Sequence, residues 1–144
     1  MIAVDSNILI YAQRADSQFH QAAVDRLREL VEGTAGWAIP WPCIHEFLSV
    51  VTNRRVFNPP TSLNDAMGFA TSLMNSPSLV LLAETEIHWP TLQSVATQGR
   101  VTGGQIHDAR IAAICIQHGV RELWSADRDF GRFPALKVIN PLFQ

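Results

Sequence analysis

The sequence predicts an α/β sandwich whose central sheet is short and mostly parallel. Short apolar segments with strand character alternate with longer helical segments along the 144 residues, and this alternation is typical of parallel sheets flanked by helices. Hydrophobic residues make up 47% of the chain and charged residues 17%, which provides a packed core and excludes a disordered chain. No internal repeat, low-complexity tract or linker interrupts the pattern, so we expect residues 1–144 to form a single domain.

The N-terminal segment predicts one strand followed by two helices. Ile2–Asp5 is a short apolar strand, and Ser6 can cap a helix that continues to Arg14. A second helix runs from Phe19 to Glu32, where apolar residues recur at helical spacing against a charged face. Gly33 ends this helix.

The middle of the chain predicts a second strand, two helices and an irregular loop. Gly36–Pro40 has strand character, and Pro42 suits the first turn of a helix that extends to about Asn53. The segment from Arg54 to Ser62 contains Asn-Pro-Pro and is predicted to be a loop. Leu63–Asn75 is a further helix.

The C-terminal half predicts three more strands and two helices. A helix over Glu86–Gln98 is expected to break near Trp89-Pro90, and a helix over Gln105–His118 is expected to end at Gly119. The predicted strands are Ser78–Ala83, Arg121–Ser125 and Leu136–Ile139.

Charge and cysteine content limit the classes of function. The net charge of −2 gives no electrostatic case for nucleic-acid binding. Ten of the eleven basic residues are arginines, which bind phosphate well, although the codon usage of a GC-rich genome explains the same bias. Cys43 and Cys115 lie in apolar helical segments without metal-type spacing, so we interpret them as buried thiols in a reducing compartment.

Targeting signals are not evident in the sequence. No apolar run approaches the ~18–20 residues of a membrane span, and the N-terminus lacks the basic front of a signal peptide. We therefore expect a cytoplasmic protein without membrane association.

Four acidic residues occupy positions where a core rarely tolerates charge: Asp5, Glu46, Asp108 and Asp127. An unpaired buried carboxylate is costly, and no lysine lies near any of them in the sequence. A divalent cation with oxygen ligands, Mg²⁺ or Mn²⁺, would supply the missing charge.

The predicted topology allows these acids to converge. Ligands bind beyond the carboxyl ends of parallel strands, and Asp5 and Asp127 each follow a predicted strand. Asp108 shares a helix face with apolar residues and is expected to point inward. Glu46 is expected to lie on a similar, partly apolar face.

Four segments in order resemble the PIN-domain ribonucleases, and within that family the VapC-type toxins of bacterial toxin–antitoxin pairs. The resemblance covers essentially the whole chain, with Ser125 at a position where the family often has Thr. The segments are Val4-Asp5-Ser6-Asn7-Ile8-Leu9, the helix that carries Glu46, His107-Asp108-Ala109-Arg110 and Ser125-Ala126-Asp127-Arg128-Asp129-Phe130.

The resemblance implies a PIN-like three-layer sandwich and a Mg²⁺-dependent endoribonuclease that cleaves single-stranded RNA by metal-assisted hydrolysis, with Mn²⁺ as a possible substitute. It also implies a cognate antitoxin that neutralises the enzyme. The implied metal ligands are Asp5, Glu46, Asp108 and Asp127, with Asp129 as a further ligand directly or through water. The residues implied to orient these carboxylates or waters are Ser6, Asn7 and Ser125.

A homodimer is a further expectation. The resemblance suggests it, and the chain has more large apolar side chains than a small core needs. The side chains considered for the dimer surface are Phe19, Trp37, Trp41 and Trp89.

Other interpretations remain open from the sequence. Asp5 could cap a helix, Asp108 could face a helix dipole, and Asp127 and Asp129 could form turns. Glu46 could be a solvated helix residue. A catalytically silent PIN module is one alternative function, although such modules are expected to lose acids. An aspartyl-phosphate phosphatase is another, although it would need Asp where this chain has Asn7.

Overall fold

The computed structural model describes residues 1–143 and contains one five-stranded sheet. Its order is β3-β2-β1-β4-β5, and each pair of neighbouring strands is parallel, as the sequence predicted. The strands are β1 (Ile2–Val4), β2 (Trp37–Pro40), β3 (Leu79–Leu82), β4 (Glu122–Trp124) and β5 (Lys137–Ile139).

Six α-helices connect the strands, and right-handed crossovers place them on both faces of the sheet. The chain moves outward from β1 through β2 to β3, so α1–α4 share one face; it then returns to β4, so α5 and α6 cover the other. The helices are α1 (Ser6–Gln13), α2 (His20–Glu32), α3 (Trp41–Val51), α4 (Leu63–Met74), α5 (His88–Gly99) and α6 (Gln105–Gln117).

The central strands form the core between the two helical layers. Ala3, Val4, Trp37, Ile39 and Leu123 have no solvent exposure, because strands covered on both faces are apolar throughout. Trp37 is therefore core and does not belong to a dimer surface, whereas Trp89 is 66% exposed.

Two predicted details of the helices were wrong. The side chain of Asp5, not Ser6, caps α1, and its Oδ1 accepts the Ser6 N–H at 2.8 Å. Helix α5 begins at His88 and continues through Trp89-Pro90 without a break. Proline lacks only an N–H that has no partner in a first turn, so Pro90 is tolerated there.

Other predicted features are confirmed. Gly119 follows α6 with φ +71°, the left-handed conformation that glycine adopts at a helix end. Cys43 and Cys115 are free, buried thiols. Among residues 1–143, no helix is long and apolar enough to cross a bilayer.

Candidate active site

The predicted acids lie where the strand order changes direction. From β1 the chain proceeds to β2 on one side, whereas β4 pairs with β1 on the other side. Parallel sheets form a ligand crevice at the carboxyl ends of such a strand pair. Asp5 follows β1 and Ser125 follows β4, and the Asp5 N–H donates to the Trp124 carbonyl at 3.0 Å. Both residues therefore enter one crevice.

Asp5 is held rigidly by donors on both carboxylate oxygens. Its side chain is almost completely buried, with 4% exposure. Oδ1 accepts from the Ser6 N–H at 2.8 Å and the Cys43 thiol at 3.5 Å. Oδ2 accepts from the Ser125 hydroxyl at 2.7 Å and the Asn7 amide at 3.2 Å. Burial raises the pKa of Asp5, and the bonds from Ser125 and Ser6 oppose that rise.

Asn7 and Ser125 connect Asp5 to the loop that carries Asp127. The Asn7 amide donates to Ser125 Oγ at 3.1 Å, and its Oδ1 accepts the Ala126 N–H at 3.1 Å. Ser125 Oγ also accepts the Asp127 N–H at 3.0 Å. The three hydrogen bonds fix the backbone of the loop relative to β1.

Three carboxylates converge beyond this network. Asp108, Asp127 and Asp129 each place a carboxylate oxygen within 4.8 Å of the others. Asp108 lies in the first turn of α6, and the short 3-10 helix Arg128–Arg132 begins beside Asp127, which accepts the Asp129 N–H at 2.9 Å. Residues from two separate elements thus form one acidic cluster.

Electrostatic repulsion within the cluster is reflected in Asp108. Burial and the neighbouring charges of Asp127, Asp5, Asp129 and Glu46 raise the pKa of this carboxyl from 3.8 to about 6. Across residues 1–143, none of these five carboxylates forms an ion pair with a basic side chain. The acids that do form ion pairs are Asp16, Asp25, Glu29, Glu84 and Glu122. The cluster therefore concentrates negative charge without a basic side chain to neutralise it.

Glu46 shares its helix face with the buried Cys43 and the half-buried Val50, so the face is partly apolar as predicted. The side chain of Glu46 is itself exposed. It nevertheless belongs to the site, because Glu46 Oε1 accepts the Ser6 hydroxyl at 2.8 Å and its charge raises the pKa of both Asp5 and Asp108. Exposure allows this carboxylate to move toward a ligand at low cost.

The sequence does not predict the hydrogen bonds by which Arg132 links the start of α6 to the 3-10 helix that carries Asp129. We call this set of hydrogen bonds the clasp. Arg132 donates to the Gly99 carbonyl at 3.2 Å, to Gln105 Oε1 at 3.1 Å and to the Asp129 carbonyl at 3.3 Å. Gln105 Oε1 also accepts the Thr102 N–H at 3.0 Å, as in a capping box. The Thr-x-x-Gln pattern could have identified Gln105, whereas no local pattern points to Arg132.

The donor set fits a small divalent cation. Neighbouring ligand oxygens around an octahedral Mg²⁺-sized ion lie about 3.0 Å apart and opposite ones about 4.2 Å apart, because each bond is about 2.1 Å. Three carboxylates with oxygens within 4.8 Å of one another could reach that arrangement by small side-chain movements. Their shared negative charge and hard oxygen donors favour such an ion over a softer transition metal.

Comparison with a protein-family model assigns the fold. The model of the PIN domain matches residues 2–136. The chain belongs to the PIN domain family. Its relatives include the VapC ribonuclease Mb2897 of Mycobacterium bovis, which is 37% identical over 142 residues. That alignment covers 99% of this chain and 96% of the relative.

Solved structures of PIN domain proteins share the architecture. A VapBC2 structure from Rickettsia felis, bound to a DNA fragment from its promoter, superposes with a TM-score of 0.70 at 17% identity. The alignment covers 96% of this chain and 98% of that chain. VapC20 of Mycobacterium tuberculosis, a toxin that cleaves the Sarcin-Ricin loop, gives a TM-score of 0.66 at 14% identity. This alignment covers 95% of this chain and 99% of the VapC20 chain, so the two proteins share the whole fold.

Proposed function

We propose that this chain is a metal-dependent endoribonuclease toxin that hydrolyses phosphodiester bonds in single-stranded RNA. The observation that carries the proposal is the convergence of Asp108, Asp127 and Asp129 at the carboxyl edge of the sheet, beside the buried Asp5. Family membership supports it, because relatives at 37% identity over nearly the whole chain are named ribonucleases.

Five carboxylates take part in the proposed chemistry. Asp108, Asp127 and Asp129 hold a divalent cation, Mg²⁺ or Mn²⁺, and Asp5 and Glu46 complete the negative site around it. When bound, such a cation supplies an activated water at neutral pH and stabilises charge on the reacting phosphate. Without it, the same carboxylates repel the RNA backbone, so cleavage depends on metal.

The polar residues around Asp5 provide pre-organisation. Asp5, Asn7 and Ser125 form a closed set of hydrogen bonds in which each side chain has a defined orientation. Groups that orient metal-binding carboxylates in this way improve metal affinity and activity. We assign Ser6 the same task for Glu46, whose Oε1 it binds.

Two other functions fit this structure less well. A phosphatase that forms an aspartyl phosphate would need a proton-transferring acid at position 7, where Asn7 instead donates its amide to Asp5 and Ser125. A silent binding module has no reason to keep several like charges beside a carboxyl whose pKa burial and those charges together raise to about 6.

The proposed partners are RNA, a cognate antitoxin and a second copy of the chain. The antitoxin proposal rests on kinship with VapC proteins and on the VapBC2 structure among the structural neighbours. The exposed Trp89 and half-buried Trp41 remain available for the dimer surface, whereas Trp37 is not.

Sequencing the 5′ ends of cellular RNA after brief induction tests the proposed function. The wild-type chain should create new 5′ ends at defined sites within minutes. Asp108→Asn should create none, and Asp65→Asn, which removes an exposed acid on α4, should reproduce the wild-type pattern. Identical patterns in induced and uninduced cells would reject the proposal.

A further inference from the structure

A groove continues from the acidic cluster along the carboxyl ends of β4 and β5. Its volume is about 350 Å³, and its lining includes Ser125, Asp127, Arg128, Val138, Asn140 and Phe143. Asp127 belongs to both the groove and the carboxylate cluster. The groove therefore adjoins the cluster.

Polar groups on the groove wall offer mainly hydrogen-bond donors. Ser125 Oγ is fully engaged, because it donates to Asp5 and accepts from Asn7 and Asp127. Asn140 Oδ1 accepts the Leu142 N–H at 3.1 Å, which leaves the NH₂ group of the amide for a ligand. Arg128 adds a guanidinium on an exposed side chain.

Phe143 supplies an aromatic surface at the groove. The side chain is 73% exposed, an unusual state for phenylalanine. Its ring meets the Phe19 ring edge-on, with centroids 5.7 Å apart and an interplanar angle of 85°. This contact fixes the orientation of the ring while most of its surface stays in solvent, so the ring can stack with a flat ligand.

The charge of the neighbourhood indicates what this ligand is. Three clustered carboxylates lie at one end, and Arg128 is the positive side chain on the groove wall, so a phosphate would gain little there. A flat, neutral group with hydrogen-bond acceptors on its edge matches the aromatic ring and the donors. Unpaired bases in RNA are recognised by such stacking and edge contacts.

We propose that this groove binds one unpaired nucleobase of the RNA, on a nucleotide next to the phosphodiester that is cleaved. The proposal rests on the proposed ribonuclease function and adds a determinant of cleavage-site choice to it. Phe143 stacks on the base, and Asn140 and Arg128 donate to its edge. The acid cluster, which would hold a divalent cation, lies where the adjoining phosphate would be placed.

Abasic substitution in a synthetic RNA tests the groove directly. Short oligoribonucleotides carry a mapped cleavage site and a single abasic nucleotide at each position around it. For the wild-type protein, an abasic nucleotide at one position flanking the cleavage site should raise KM about tenfold. This is the loss in affinity expected when a stacked base is removed. Phe143→Ala should raise KM on the intact RNA by a similar factor.

A double-mutant cycle that combines Phe143→Ala with the abasic RNA tests whether this side chain and the base act together. In Phe143→Ala, the abasic nucleotide at that position should have little further effect, because the two partners act together. Phe143→Trp should restore the preference, and Met67→Ala, which removes an exposed apolar side chain on α4 outside the groove, should behave as wild type. Thermal melts identify any variant that does not fold, and Asn140→Ala then provides the second test of the same groove.

Two results overturn the proposal in different ways. If RNA is cleaved but the effects of Phe143→Ala or Asn140→Ala and of the abasic nucleotide are independent, the groove does not bind a base although the ribonuclease function holds. If the wild-type protein cleaves none of the RNAs with Mg²⁺ or Mn²⁺, the proposed function fails and the base site fails with it.

Discussion

Asp5 and Asp108 carry the same functional group, yet their surroundings prepare them for different tasks. Asp5 is buried and accepts four hydrogen bonds, so its carboxylate is part of the framework that joins β1 to β4. Asp108 is only half-buried, and burial together with the neighbouring acids raises the pKa of its carboxyl. Asp5 therefore contributes to the rigidity of the site, and Asp108 contributes to the negative charge that would attract a cation.

The two residues should therefore respond oppositely to amidation in metal-free protein. Asp108→Asn removes repulsion and should raise the melting temperature by about 2–6 °C. Asp5→Asn places an amide donor against groups that already donate, and should lower the free energy of unfolding by about 1–3 kcal/mol. Thermal and urea melts in a chelator check both values. A stabilised Asp5→Asn would show that its hydrogen bonds are not required for the framework.

The pKa of Asp108 also predicts a pH dependence. Because the folded pKa of about 6 lies above the ordinary 3.8, the folded state binds a proton more tightly than the unfolded chain between these values. This residue should make metal-free protein lose stability as pH rises from about 4 through 6. Asp108→Asn should lack that component when melts are recorded from pH 4.5 to 7.5, and Asp65→Asn should retain it. A profile unchanged by Asp108→Asn would contradict the repulsion.

At the scale of secondary-structure elements, the acidic cluster depends on the relative placement of α6 and the 3-10 helix Arg128–Arg132. Arg132 joins the end of α5, the start of α6 and the Asp129 carbonyl. Gly99 fits closely beside this clasp, since a Cβ there would approach the Phe133 ring to 2.7 Å. The clasp thus links the helix that carries Asp108 to the 3-10 helix that carries Asp129.

Loss of the clasp should loosen the cluster. Arg132→Ala should lower the affinity for Mn²⁺ about tenfold, because the carboxylates then sample more positions. Arg132→Lys should recover part of this affinity, since a single ammonium can replace only some of the bonds. Arg121→Ala, an exposed arginine at the start of β4, serves as the control in calorimetric titrations. Equal affinities in all variants would exclude a positioning role for Arg132.

Local sequence patterns predicted the elements well and their ends less well. Local patterns predicted β1, β4 and α2 because the spacing of apolar residues in a segment reflects which of its residues are buried. The sequence predicts a break in α5 because proline ordinarily interrupts a helix, whereas the first turn of this helix tolerates Pro90. Arg132 was missed because its partners are 27 and 33 positions away.

The whole molecule brings the site together through its strand order. The sequence suggested that Asp5 and Asp127 would converge if their strands were neighbours, and the pairing of β1 with β4 fulfils that condition. The order of the strands in the sheet depends on long-range packing, so local sequence patterns do not predict it. Glu46 illustrates the same limit: its helix was predicted, but its exposure follows from the crevice that only the folded sheet creates.

The charge of the assembled site predicts how an antitoxin acts. An arginine inserted among the carboxylates of Asp5, Glu46, Asp108 and Asp127 would form charge-assisted hydrogen bonds in the place of the cation. Metal and antitoxin would then weaken each other's binding by the same factor. Antitoxin affinity measured across a Mn²⁺ titration at constant ionic strength should fall as Mn²⁺ rises. Affinity independent of metal would instead favour a block away from the acids.

The most direct test of the central claim is the rate of RNA cleavage by purified, chelator-treated protein as Mg²⁺ or Mn²⁺ is added back. The wild-type protein and Asp65→Asn should be inactive without metal and gain full activity on its addition. Asp108→Asn should remain at least about a hundredfold slower at every concentration, because a metal contributes several kcal/mol to the transition state. Full activity without metal, or a wild-type rate in Asp108→Asn, would contradict the assignment of the acidic cluster as the catalytic site.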